Sequence, residues 1–318
     1  MPLSPNQPLT RPRPLPGNGH IAVLAASSPS KPERIEYAVR SLEARGLRVT
    51  LAENAYDVDR PYLAGPDFRR LEAVNEALRD PGFDAYLFTR GGYGAMRILD
   101  GIDYDAIARS PRPIIGYSDI TAIHQATAMR AGVATFHGPM LNFDFFEGLS
   151  PAIDDWFWRS LAGASPLTWR FEPEQVLARG RARGVVFGGC LTLTAALIGT
   201  PFDYWVDGGI WFWEDVDEKV YQIDRMLTHL RLSGRLQTIQ GVMIGKLKDC
   251  GGGDVPGLER LIAEFFGNAG IPVVRDIPFG HHGDNLLMPV GLIGELDTDA
   301  GTFTLPEPVV DPSAPASR

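Results

Sequence analysis

The sequence predicts an α/β protein, with a parallel sheet covered by helices in its N-terminal half and a second domain that again mixes strands and helices. Three observations carry this. Short apolar runs alternate with amphipathic stretches of helical length through the first half of the chain. Each apolar run ends in a turn rich in Gly, Ser or Pro. The alternation then breaks over residues 150–182 before strand and helix signals resume. A β-α-β-α order of this kind gives parallel strands buried on both faces.

In order, residues 21–25 form a buried-strand run followed by Ser27-Ser28-Pro29, and residues 31–45 have helical spacing that stops at Gly46. Residues 47–51 read as a second strand. Residues 66–79 read as a helix with Phe68, Leu71, Val74 and Leu78 on one face. Residues 84–88 are a third strand, running into Thr89-Arg90-Gly91-Gly92-Tyr93-Gly94. Ile114 and Ile115 form a fourth, residues 120–130 a helix, and residues 132–136 a fifth strand leading to His137-Gly138-Pro139. Ligands of parallel sheets bind beyond the carboxyl ends of the strands, where the turns at Ser27, Gly91–Gly94, Ser118 and His137 all fall.

Residues 151–182, with Trp156, Trp158 and Trp169, read as a short helix and a crossover linker. Beyond it the pattern predicts helices over 191–198, 218–232 and 258–266. Strands are expected over 209–213 and 241–244, and near 272–274, 288–293 and 302–305. The Pro-rich stretches 1–17 and 306–318 read as disordered arms. The domains are therefore 18–150 and 183–305.

The 318 residues carry 44% hydrophobic and 22% charged residues, as soluble globular proteins do. No apolar run approaches the roughly 18 residues of a membrane span, and residues 1–17 lack the apolar segment of a secretory signal. A net charge of −9 argues against a nucleic-acid-binding face. Cys190 and Cys250 make no disulfide framework, which fits a reducing, cytoplasmic compartment.

The most informative run is Pro113-Ile114-Ile115-Gly116-Tyr117-Ser118-Asp119-Ile120-Thr121. A strand ends, a Gly permits a sharp turn, and Asp119 and Thr121 open a helix. Such a junction lifts the Ser118 hydroxyl out of the backbone beside the N–H groups of a helix start. A nucleophilic Ser needs a base, and the base needs an acid to orient it. His281 and His282 lie in a Gly-flanked loop, and His124 and His137 lie nearer in sequence. Trp211-Phe212-Trp213 ends in Glu214-Asp215, so Glu214 sits at the mouth of a buried strand and needs a partner. Gly91 and Gly92 permit close backbone approach and suit an oxyanion hole shared with the N–H of Asp119. The plain alternatives are a structural turn at Ser118, a solvated loop at His281, and Asp215 and Asp217 as caps of the next helix. The chain has no HExxH motif and no Cys pair, so no metal is expected. No cofactor is expected either; GxxxxGKS/T is absent, as is a GxGxxG after a first strand.

Together these motifs resemble the LD-carboxypeptidases, serine peptidases that include the microcin C immunity enzymes. The N-terminal resemblance rests on Thr89–Gly94, Gly116-Tyr117-Ser118-Asp119 and His137-Gly138-Pro139-Met140. The C-terminal one rests on Gly188-Gly189, Leu191, Glu214-Asp215-Val216, the run Tyr221–Leu227, Phe279-Gly280-His281 and Leu287–Gly291. It implies a β-rich C-terminal domain, a cleft between the domains and often a homodimer. It implies Ser118 as nucleophile, Glu214 as orienting acid and His281 as base. The oxyanion donors would be the N–H groups of Asp119 and of Gly91 or Gly92. The implied substrate is a muropeptide, the murein tetrapeptide losing terminal D-Ala during peptidoglycan recycling. Arg90 is a candidate for its carboxylate. The family commonly carries Asn where this chain has Cys190. Two alternatives stay open: an immunity-type peptidase cleaving aminoacyl or peptidyl sulfamoyl adenylates, with the tryptophans of 156–169 stacking on adenine, and a non-catalytic muropeptide-binding protein.

Overall fold

A computed structural model describes residues 7–314. Two sheets organise it. The first is built from β1 (His20–Leu24), β2 (Arg48–Leu51), β3 (Ala85–Phe88), β4 (Ile114–Gly116) and β5 (Thr135–His137), all parallel. Its helices are α1 (Pro32–Ala44), α2 (Asp67–Arg79), α3 (Tyr104–Arg109) and α4 (Thr121–Ala131). Every residue of β3 is buried, as a central parallel strand requires. Helix α1 buries Ile35, Ala38 and Leu42, and α2 buries Ala73, Val74, Ala77 and Leu78. Phe68, expected on that apolar face, is instead 66% exposed. The inward position in the first turn of α2 belongs to Arg70, which is fully buried and bonds the carbonyls of Ala26 and Gly94 at the carboxyl ends of the strands.

The chain continues through α5 (Pro151–Leu161), β6 (Leu167–Arg170), β7 (Val176–Ala178), β8 (Arg181–Cys190), α6 (Leu191–Leu197) and β9 (Ile210–Glu214). Then follow α7 (Val220–Leu232), β10 (Gly241–Gly245), α8 (Val255–Phe266), β11 (Val273–Ile277), β12 (Met288–Val290), β13 (Leu292–Asp297) and β14 (Thr302–Leu305). The second sheet has the order β6-β14-β13-β8-β9-β10-β11-β7, parallel at its centre and antiparallel toward both edges. Two expectations need correction. The stretch 151–182 is no bare linker, because β6 and β7 form both edges of the second sheet. The single strand expected over 288–293 is two strands. Gly291 turns the chain at φ +100°, so β12 pairs with β5 of the first sheet while β13 joins the second.

The arms are corrected too, where they are described. From residue 7 the N-terminal arm lies on the fold. Leu9 and Leu15 are buried, Leu9 N–H donates to Gly291 (2.8 Å), and Thr10 N–H donates to Gly132 (2.8 Å). Val309 and Val310 are buried, and Asp311 N–H donates to Pro12 (2.7 Å), so the two arms brace each other. Proline removes donors but not apolar surface, and the apolar residues between the prolines anchor these segments. The disorder expected for 1–6 and 315–318 lies outside the described residues. No helix among the described residues is long and apolar enough to cross a membrane.

Candidate active site

Ser118 stands where β4 gives way to α4. Its φ is +62°, a left-handed conformation that disfavours any residue with a Cβ. Gly116 makes the turn possible, since a Cβ there would press on Ile120 at 3.1 Å. Asp119, buried, turns its carboxylate away from solvent and accepts from Ser27 Oγ (2.6 Å) and Ala95 N–H (2.8 Å). Burial pushes its carboxyl above the ordinary value against the pull of those bonds and of Arg70. The side chain thereby ties the Ser118 turn to the glycine loop and to the turn after β1. Gly91 packs so closely that a Cβ would lie 2.7 Å from Ser118 Cβ and 3.2 Å from the Asp119 nitrogen. Gly92, at φ +109°, packs against Ser28.

Glu214 ends β9 after three fully buried aromatics and is itself fully buried. Its Oε2 accepts from His281 Nδ1 at 2.6 Å and from the His281 backbone N–H at 3.2 Å. Gly280, at φ +93°, lets this happen, because a Cβ there would collide with the Glu214 carboxylate. The other ring nitrogen, Nε2, lies 2.9 Å from Ser118 Oγ. With a carboxylate at Nδ1, the neutral ring carries its proton there and Nε2 accepts the Ser118 hydroxyl. Burial by itself would push the Glu214 carboxyl up, but His281 and then His137 outweigh it and hold the carboxyl below its ordinary value. Burial would likewise pull the His281 imidazole down; Glu214, then Asp215 and Asp144, hold it above the ordinary value instead.

A cleft of about 120 Å³ opens beside this chain, walled by Tyr117, Phe143, Asp144, Val216 and His281 among others. The Tyr117 ring meets the His281 ring edge-on at 5.0 Å. Burial pushes Asp144 up to about 6. Burial and the Glu214 charge do the same to Asp215. Asp215 does not cap the helix that follows, whose N-cap is Lys219; it accepts instead from Thr192 N–H and Oγ1 in the first turn of α6, both at 2.8 Å. Cys190 lies opposite Glu214 in the β8–β9 register, with Sγ 3.6 Å from Asp215.

The remaining candidates fall away from the hydroxyl. His282 lines the cleft, but the ring hydrogen-bonded to Ser118 is that of His281. His124 is fully buried on the Gly116 carbonyl (2.8 Å), with burial pulling its pKa down to about 3. His137 is buried among Tyr117, Phe212 and Phe279, its pKa down to about 4 for the same reason. Arg90 is half-buried, with its guanidinium 5.3 Å over the Phe143 ring. Trp156 is buried and bonded to the Leu287 carbonyl (2.9 Å), so it offers no face to an adenine, and the partly buried Trp169 packs edge-on against it. Sequence reasoning missed Phe143, Asp144 and Arg70. Only Arg70 left a signal, a charge at a helical position that should face the core. No group of three or more His, Cys, Asp or Glu among the described residues is arranged to hold a metal ion.

Residues 21–138 match the LD-carboxypeptidase N-terminal domain and residues 183–296 the LD-carboxypeptidase C-terminal domain. The chain belongs to the LD-carboxypeptidase family. The first of these family domains holds Ser118 and the glycine loop, and the second holds Glu214 and His281. Across the family, the chain is 39% identical to a Streptomyces coelicolor protein provisionally named a carboxypeptidase, over 95% of this chain and 98% of that one. It is 32% identical to the murein tetrapeptide carboxypeptidase of Pseudomonas aeruginosa, over 89% and 94% of the two chains. Its fold matches the muramoyltetrapeptide carboxypeptidase of Oxalobacter formigenes with a TM-score of 0.79 at 28% identity, covering 90% and 97%.

Proposed function

We propose that this chain is a serine-type LD-carboxypeptidase that hydrolyses the L,D-peptide bond before a terminal D-residue, releasing D-Ala from murein tetrapeptide. The observation that carries the reading is the continuous run from Glu214 through His281 to Ser118 at 2.6 and 2.9 Å. The names of the Pseudomonas and Oxalobacter relatives support the substrate.

In this mechanism Ser118 Oγ attacks the carbonyl carbon of the L-centre while His281 Nε2 takes its proton. Glu214 stabilises the imidazolium and keeps Nδ1 protonated. The oxyanion receives N–H bonds from Asp119 and from Gly91 or Gly92. Collapse of the tetrahedral adduct expels the D-amino acid, whose nitrogen takes the proton from His281. Water, deprotonated by His281, then hydrolyses the acyl-enzyme and restores Ser118. Arg90 faces the carboxylate of the departing residue. The reading includes a cytoplasmic homodimer acting in peptidoglycan recycling, in keeping with two free, buried cysteines.

For the adenylate-cleaving alternative, burial removes Trp156 from the three tryptophans it invokes, while Trp158 and Trp169 are only partly buried. The test is a defined murein tetrapeptide, wild type against Ser118→Ala, read by mass spectrometry. Wild type should release D-Ala. The variant should release none while melting at nearly the same temperature. Retained turnover in the variant would refute the nucleophile, and binding without turnover or Ser118 labelling in the wild type would make the chain a muropeptide-binding protein.

A further inference from the structure

Two guanidiniums share one aromatic ring at the wall of the cleft. Arg34, from α1, stands 5.5 Å over Phe143 and 4.7 Å over Phe146. Arg90, one residue before Gly91, stands 5.3 Å over the same Phe143. Each gives one long bond to a backbone carbonyl: Arg34 to Asn142 and Arg90 to Pro29, both at 3.3 Å. Neither forms an ion pair among the described residues, where most other arginines of the chain do. Arg90 Nε is buried without a partner, as is the nearby Asn142 Oδ1. The Arg90 guanidinium is held below its ordinary value by burial, with the Arg34 charge adding to it. Two half-buried cations brought together without an ion-pair partner form an arrangement that a ligand anion would relieve.

We propose that Arg34 and Arg90, flanking Phe143, form a two-pronged seat for the α-carboxylate of the substrate's terminal residue. This rests on the carboxypeptidase reading and adds the determinant that makes it an exopeptidase. The placement follows from the chemistry. His281 must protonate the leaving nitrogen, and His281 and Phe143 wall the same cleft. The carboxyl carbon of a leaving α-amino acid is two bonds from that nitrogen, so the carboxylate lies within the same cleft, of which Phe143 is one wall. Asp144, Glu147 and Lys248 line the same cleft, so the carboxylate meets two acids and one ammonium there, and the two guanidiniums tip that balance toward the anion. A planar carboxylate between two guanidiniums accepts several charge-assisted bonds, which a carboxamide cannot match. The Phe143 ring gives a small apolar side chain such as a methyl group its floor.

The test uses binding rather than turnover. In a Ser118→Ala background, calorimetry compares murein tetrapeptide as free acid with the same peptide as C-terminal carboxamide. The acid should bind roughly tenfold to a hundredfold tighter. Arg34→Met keeps the stem over the Phe146 ring and removes the charge. It should weaken acid binding by roughly the same factor, leave the carboxamide unchanged, and couple non-additively with Arg90→Met. Arg34→Lys, which keeps the charge but loses the fork, should fall between and covers the case in which the Met variant does not fold. Equal binding of acid and amide, binding of neither, or an Arg34→Met variant that weakens both alike overturns the seat. A wild-type chain that prefers the acid yet releases no D-Ala sinks the hydrolase reading and leaves the seat standing.

Discussion

Replacing Glu214 by Gln is close to isosteric, so it tests the acid without emptying the site. The carboxylate accepts two bonds from His281, one at its ring and one at its backbone, and is fully buried. Both bonds fall on Oε2 while Oε1 is buried without a partner, so a Gln oxygen in the Oε2 place leaves its NH₂ buried with no acceptor, and the reversed amide sets that NH₂ opposite Nδ1. With an NH₂ opposite, Nδ1 becomes the acceptor and the proton moves to Nε2, where it blocks acceptance from Ser118. Loss of a charge-assisted bond alone would lower kcat roughly tenfold to a hundredfold. The tautomer change brings the expected loss to about 10⁴-fold, the size seen for the same change in a well-studied serine protease triad, or ~5.5 kcal/mol. The pH profile should move as well. In the wild type the acid limb of kcat/KM should bend above 6.5, the ordinary histidine value, because Glu214 holds His281 up. In the variant, burial is opposed only by more distant acids, and the bend should move to lower pH. Stability follows the same pair. The depressed Glu214 contributes above 4.5 and loses its contribution as pH falls, while the raised His281 contributes below 6.5 and loses it as pH rises. The difference in melting temperature between wild type and variant should therefore be largest between those values. A kcat within about tenfold of wild type, or an unmoved acid limb, would refute this reasoning.

Two further outcomes are expected. Gly91→Ala places a Cβ 2.7 Å from Ser118 Cβ and should lower kcat about a hundredfold to a thousandfold with little change in KM, read by tetrapeptide kinetics. Asp144, pushed from 3.8 to about 6, binds its proton more tightly in the folded state than in the unfolded chain, so its burial weakens the fold increasingly as pH rises through that window. Asp144→Asn should therefore stabilise the protein by up to ~3 kcal/mol near pH ~8 and do little below the lower value, as denaturant melts at the two pH values would register.

The parts of this site that were legible in the sequence are the local ones. Gly116-Tyr117-Ser118-Asp119 announces a strand, a turn and a helix within a few residues, and Trp211-Phe212-Trp213-Glu214 places an acid at a buried strand end. What could not be read from residues alone is the meeting of distant segments. His281, His282 and His137 were rivals until the family pattern favoured the first, and the 2.9 Å approach to Ser118 belongs to His281. The misreadings have physical causes. Apolar periodicity cannot distinguish one long strand from two short ones in different sheets, which is how Gly291 was overlooked. Proline-rich composition hides the packing of Leu9, Leu15, Val309 and Val310. A charged residue in a helix is normally read as solvent-facing, so the inward turn of Arg70 went unseen and Phe68 was placed inside in its stead. Asp215, beside Glu214, looked like a cap because acids before helices usually are.

The strand Met288–Val290 follows the His281 loop and runs against His137, Phe136 and Thr135 of the first sheet, whereas the strand before that loop, Val273–Ile277, belongs to the second. The imidazole thus rides on a strap buckled at either end to a different half of the molecule. Swinging the halves apart would first have to unzip that buckle. Reach between the base and the hydroxyl is built in when the chain folds and owes nothing to a clamshell movement on substrate arrival. For the same reason, cutting the chain between its two family domains would leave the first sheet without its last strand.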